Sequence, residues 1–89
     1  MATTLITGSN RGIGFEFARQ YAQSGWNVIA CCRQPENASN LRQLANSFPD
    51  LVTIYPLDVA DHNQITNLSN NLRNTSIDLL INNAGIYPP

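Results

Sequence analysis

The sequence predicts an α/β fold: part of a doubly wound parallel sheet, with four strands in the order 3-2-1-4 and three helices. Three observations predict it. Apolar, β-rich runs alternate with segments of helical period, in the order strand, helix, strand, helix, strand, helix, strand. The runs are almost continuously apolar, as strands covered on both faces are. The stretch TGSNRGIG, Thr7 to Gly14, also sets three glycines directly after the first run, where the period changes from strand to helix.

The first strand is Thr3 to Thr7. From Arg11 or Gly12 the pattern is helical: Ile13, Phe17 and Tyr21 recur every fourth residue beside Gly14, Ala18 and Ala22, so a bulky ridge runs next to a small one. Gly25 is a suitable residue just past a helix end. WNVIACC, Trp26 to Cys32, is the second strand. Pro35 and Glu36 open the second helix, whose face carries Leu41, Leu44, Ala45 and Phe48 until Pro49 stops it. LVTIYPLDV is the third strand, and Pro56 near its end suggests that the hydrogen-bond ladder is left there. Asp61 and Gln64 have capping-box spacing for a third helix with Ile65, Leu68 and Leu72 as its apolar stripe. IDLLINNAG closes as the fourth strand, running into a polar turn that ends in glycine.

Composition bounds the function. At 89 residues, 43% hydrophobic and formally −1 in net charge, the chain is an ordinary globular polypeptide of one domain at most, without the basic excess that nucleic acid requires. The N-terminus lacks a basic region, and its apolar run is too short for a signal peptide or a membrane span, so the cytoplasm is the expected location. Cys31 and Cys32 are adjacent on a strand and point to opposite faces; they read as buried thiols of a reducing compartment, not as a disulfide or a metal cluster. No zinc, P-loop or nucleic-acid signature is present.

In doubly wound sheets a ligand sits beyond the carboxyl ends of the strands. Here those ends carry GSNRG, RQP, DVA and NNAG. Glycine after the first strand allows a tight turn and leaves room for a pyrophosphate, met by free N–H groups and the positive end of the helix dipole. The spacing of Gly8, Gly12 and Gly14 is G-x-x-x-G-x-G, and it also suits a tight turn with close helix-to-strand packing and no ligand. An NAD-preferring site usually carries an acid at the end of the second strand. This chain has Arg33 there and Arg11 in the glycine loop, a pair suited to a 2′-phosphate, so NADP(H) is expected over NAD(H). Two solvated arginines flanking a loop are the plainer alternative.

Thr7-Gly8-Ser9-Asn10-Arg11-Gly12-Ile13-Gly14, Asp58-Val59 and Asn82-Asn83-Ala84-Gly85, taken together, resemble the cofactor-binding part of the short-chain dehydrogenase/reductase family. With ACCR at the second strand, the chain is most similar to the carbonyl-reductase-like branch. The resemblance runs over all 89 residues and implies a Rossmann-like fold, matching about the first third of a typical member, with the catalytic C-terminal part absent. It implies that Gly8, Ser9, Asn10, Arg11, Gly12, Ile13 and Gly14 hold the pyrophosphate and nearby ribose, with Arg11 and Arg33 on the 2′-phosphate. Asp58 would accept from the adenine amino group beside the Val59 backbone. Asn83, Ala84 and Gly85 would line the nicotinamide ribose, Asn82 would brace neighbouring strands, and Thr7 would tie the loop to that turn. Without the family, Asp58 fits a turn-shaping role and the asparagines fit strand ends equally well.

Members of this family transfer hydride with a serine, a tyrosine and a lysine, the last two as Tyr-x-x-x-Lys. All five basic residues here are arginines, so that arrangement is impossible in this chain and no catalytic residue is expected. His62 reads as a solvated helix-start residue. The implied function is the NADP(H)-binding portion of an enzyme that moves hydride to or from a small carbonyl or alcohol. The alternative is an inactive, truncated nucleotide-binding or interaction module. Strand four would be an exposed apolar edge, so a homo-oligomer through that edge is expected.

Overall fold

The computed structural model describes residues 2–83. Its elements are β1 (Thr3–Thr7), α1 (Gly12–Gln23), β2 (Asn27–Cys32), a single 3-10 turn (Pro35–Asn37), α2 (Ser39–Ser47), β3 (Val52–Pro56), α3 (His62–Asn71) and β4 (Leu79–Asn82). The four strands form one parallel sheet in the order β3-β2-β1-β4. Type and order of every expected strand and helix are as the sequence indicates.

The strand period of two divides the core. On one face Ile6, Val28, Ala30, Cys32 and Val52 meet Ala18 and Ala22 of α1 and Leu41 and Leu44 of α2. On the other, Leu5, Ile29, Cys31 and Leu57 meet Leu68 of α3. Cys31 and Cys32 therefore lie in different layers, both buried and both free thiols. Burial pushes the Cys31 thiol up to about 12, with a smaller contribution from Cys32, and burial also raises Cys32.

α1 meets the sheet with its small ridge. Gly14, Ala18 and Ala22 are buried, whereas Ile13 is 68% exposed and Phe17 36%. The small side chains let the helix axis come close to β1 and β2. The tightest point is Gly14: a Cβ there would lie 2.1 Å from the Gly8 carbonyl oxygen and 2.7 Å from Asn83 Nδ2. Both obstacles belong to the loops at the sheet's carboxyl end, so residue 14 can carry no side chain while those loops keep their places. Tyr21, at the far end of the bulky ridge, packs edge-on against Trp26 with ring centroids 4.8 Å apart. Trp26 is held in this corner, its N–H donating to the Tyr21 carbonyl at 3.0 Å, which is why β2 begins one residue later than its apolar run.

Two further departures are local. Pro35 and Glu36 open the 3-10 turn rather than α2, because Ala38, at φ −94° and ψ 68°, breaks the helical path before Ser39. The box between Asp61 and Gln64 is half made. Asp61 Oδ1 accepts from the N–H groups of Asn63 at 2.9 Å and Gln64 at 3.3 Å, but the Gln64 side chain accepts from Asp58 N–H at 2.7 Å instead of returning to Asp61. At Pro56 the ladder ends as expected, with Leu57 N–H closing onto the Cys32 carbonyl at 2.8 Å.

β4 is attached to β1 by side chains as well as by its ladder. Thr4 Oγ1 donates to the Leu79 carbonyl at 3.0 Å, and Asp78 Oδ2 accepts from Thr3 N–H at 2.8 Å. Leu80 stands opposite Leu5 in register, on the α3 side of the sheet, and is 63% exposed. Among the described residues β4 pairs with β1 alone.

Replacing Gly14 by Ala should destabilise the fold by about 3 kcal/mol through overpacking against backbone, a fall of ~12–24 °C in melting temperature for a chain of this size, measurable by circular dichroism. The thiols give a second test. At pH 8 Cys31 and Cys32 should react with a disulfide reagent only as fast as the chain opens, and immediately in urea. Between about pH 9 and 12 the unfolded chain releases the Cys31 proton while the folded chain holds it, so stability should fall as pH rises through that window.

Candidate functional site

The carboxyl ends of all four strands open into one cleft of about 1090 Å³. The crossover from β1 to β2 lies on the α1 side of the sheet and that from β3 to β4 on the α3 side, so the cleft sits where strand order reverses, the usual ligand position in doubly wound sheets. The loop after β1 supplies Gly8, Asn10, Arg11, Gly12 and Ile13. The segment after β2 supplies Cys32, Arg33, Gln34 and Asn37. Leu57, Asp58, Val59, Ala60 and Gln64 come from the loop after β3 and the start of α3, and Asn83 from the end of β4.

The β1–α1 loop turns on Gly8 at φ 64° and Gly12 at φ 59°, a region that side chains rarely adopt. Arg11 occupies the cap position of α1 in extended conformation, and no side chain caps the helix. The first N–H groups of a helix have no partner within it. In α3 the Asp61 carboxylate takes two of them; in α1 nothing comparable does, and the uncapped end, Gly12 and Ile13, faces the cleft. That end is therefore suited to an anion.

Ser9 departs from the expectation that it holds the pyrophosphate. It is fully buried: its hydroxyl donates to the Ile6 carbonyl at 2.5 Å and accepts from Cys31 N–H at 3.2 Å, while its own N–H donates to the Cys31 carbonyl at 3.0 Å. A short side chain with both donor and acceptor is what the gap between the ends of β1 and β2 requires. Ser9 thus joins the two strands beneath the cleft and does not line it. Gly14 likewise lies behind the lining, where it admits the Gly8 carbonyl.

Arg11 and Arg33 are both exposed on the cleft from different loops. The sole salt bridge among the described residues, Arg19 with Glu16, is elsewhere on α1, so both guanidiniums are uncommitted. Across the cleft, Asp58 is held by its main chain: its N–H donates to Gln64 Oε1 at 2.7 Å and its carbonyl accepts from Asp61 N–H at 2.8 Å. One carboxylate oxygen, Oδ1, accepts from Ala60 N–H at 3.0 Å, a turn-shaping bond that leaves Oδ2 for another donor.

The end of β4 is tied to the glycine loop as expected. Thr7 Oγ1 donates to Asn82 Oδ1 at 2.9 Å, and Asn83 Nδ2 donates to the Gly8 carbonyl at 3.2 Å. Asn83 thus lines the cleft and fixes the loop beside it. Ala84 and Gly85, expected to continue this wall, lie outside the described residues. Gln34, Asn37 and Gln64 are wall residues that sequence reading missed. Gln34 lay within the RQP segment at a strand end, and the spacing of Gln64 from Asp61 indicated a different partner.

Chemically, the cleft offers uncapped amides, two free cations and a carboxylate in line along the strand ends. Among the described residues, no serine, tyrosine or histidine lines it. Tyr55 packs in the α3-side core, Tyr21 against Trp26, and His62 is exposed at the start of α3, outside the lining. Among the described residues no three His, Cys, Asp or Glu side chains could hold a metal ion, and no helix is long and apolar enough to cross a membrane.

Comparison with known proteins agrees with this geometry. The family model for short chain dehydrogenase matches residues 2–89. Salutaridine reductase of Papaver bracteatum is 36% identical over 92 residues, covering 97% of this chain and 29% of the reductase. NADPH-dependent 1-acyldihydroxyacetone phosphate reductase of Saccharomyces cerevisiae is 37% identical over 86 residues, covering 91% of this chain and 28% of the enzyme. A carbonyl reductase from Pseudomonas aeruginosa, solved in complex with NADP, superposes over 100% of this chain and 40% of its own at a TM-score of 0.93 and 35% identity. The chain thus spans under a third of the curated relatives' length and two-fifths of the solved one. With fold, strand order, glycine loop and family model in agreement, the chain belongs to the short-chain dehydrogenase/reductase family.

Proposed function

We propose that these residues form the NADP(H)-binding portion of an oxidoreductase that moves hydride between the cofactor and a small carbonyl or alcohol. The observation that carries this reading is the uncapped start of α1, opening on glycines into a cleft that also holds the unpaired Arg11 and Arg33. Those residues fit a dinucleotide diphosphate with an additional phosphate on one ribose. The amides of Gly12 and Ile13 would meet the diphosphate, with Gly8 and Asn10 beside it. Arg11 and Arg33 would meet the 2′-phosphate through charge-assisted bonds, and Asp58 Oδ2 the adenine amino group next to Val59. Asn83, with Ala84 and Gly85, would border the nicotinamide ribose. Bound NADPH supplies the hydride; the residues named bind and orient it. Two buried free thiols suit a reducing compartment, the cytoplasm.

The second reading is a module that binds nucleotide or a protein partner without turnover. It is favoured by the exposed Leu80 on β4, which among the described residues pairs with β1 alone. On either reading the exposed Leu80 and the outer edge of β4 are the surface through which copies would associate.

Calorimetry with NADPH and NADH tests the binding. The chain should bind NADPH the more tightly, and Arg33→Asp should weaken NADPH about tenfold or more while changing NADH by less than about twofold; a folded chain that binds neither sinks the reading. Light scattering should show concentration-dependent dimers that Leu80→Lys abolishes, and a strict monomer at high concentration would remove the edge from consideration.

A further inference from the structure

We propose that Gln64 is a positioning residue of the cleft, fixing through the backbone of Asp58 the loop that carries Asp58 and Val59. This goes beyond the assignment of Asp58 to adenine and rests on the cofactor reading above. Gln64 sits in the first turn of α3 with its own N–H capped by Asp61. In a capping box a residue at this place returns its side chain to the N–H of the cap residue. Here that N–H is already given to the Asp58 carbonyl at 2.8 Å. The Gln64 amide instead reaches six residues back and takes the Asp58 N–H at 2.7 Å, the shortest bond in this loop.

The result is a loop held at both ends of one residue. Asp58 gives its N–H to Gln64 and its carbonyl to Asp61, and Oδ1 is held by Ala60 N–H. The remaining oxygen, Oδ2, is the one polar atom of Asp58 not engaged in the loop. Because three bonds fix the main chain and one carboxylate oxygen, the direction of Oδ2 is set before any ligand arrives, which lowers the ordering cost of binding. Val59 follows directly and is 38% exposed, so its place in the wall is set by the same bonds and not by burial. Gln64 itself lines the cleft, and its side chain is the wall's link to α3, the element packed through Leu68 onto the second core. Removing the acceptor should free the loop while leaving α3 capped by Asp61.

Two variants separate this from a merely structural role. Gln64→Met keeps length without an acceptor; Gln64→Glu keeps the acceptor. In Gln64→Met the Asp58 amide should exchange with solvent about tenfold faster by NMR, and the NADPH dissociation constant should rise about fivefold. Far-UV circular dichroism and melting temperature should stay near those of the unaltered chain. Gln64→Glu should restore the slow Asp58 exchange. An Asp58 amide that exchanges equally slowly in Gln64→Met overturns the proposal, as does one that is freed with no change in NADPH affinity. An unaltered chain that binds no NADPH overturns the cofactor reading and the functional half of this one, whereas Asp58 exchange still reports whether Gln64 holds the loop.

Discussion

The close approach between the first turn of α1 and the turn after β1 is the constraint on which the rest depends. Gly14 admits the Gly8 carbonyl into space that any Cβ would fill, and Asn83 bonds that same carbonyl from the end of β4. One carbonyl therefore fixes three elements: the end of β1, the start of α1 and the end of β4. A side chain at residue 14 would displace the Gly8 carbonyl or Asn83 Nδ2, and with them the bond that ties the end of β4 to the glycine loop. The small ridge of Ala18 and Ala22 continues this contact down the helix, so the packing of one core and the shape of the site have a common cause.

The two helix starts at the cleft are treated oppositely. α3 has its first amides satisfied by Asp61, and its Gln64 is turned to the loop before it. α1 begins at Gly12 after Arg11, whose side chain makes no cap, and its field is directed at the cleft. The cleft thus receives the unsatisfied amides of one helix and not of the other, so an anion is favoured at α1. The polar residues beneath the cleft show the same economy: Ser9 is buried with its hydroxyl bonded on both sides, so the floor of the site holds no unpaired side-chain group among the described residues.

β4 shows how much of the sheet is complete within these residues. It is fastened to β1 by Thr3, Thr4 and Thr7, all buried, and by Asp78. These threonines read in sequence as ordinary β-formers, yet their side chains and backbone are what fix the register in which Asn82 and Asn83 reach the glycine loop. On the α3 side Leu80 is left open to solvent, a contrast with the covered Leu5 beside it.

The sequence by itself determined the alternation of strands and helices, the parallel order, the separation of Cys31 from Cys32, and the gathering of four loops at one end. All of these follow from period, apolar runs and glycine placement, which are local properties. It also marked the cleft residues of the glycine loop and Arg33, because glycines and an arginine at strand ends point to a phosphate, whereas Asp58, Val59 and Asn83 were legible only through the family resemblance. Only the tertiary structure decided that the small ridge of α1 and not the bulky one faces the sheet, since both ridges have the same period. Only it turned Ser9 inward and Gln64 toward Asp58, because a hydroxyl or an amide bonds whichever partner the neighbouring strands and loops bring within about 3 Å.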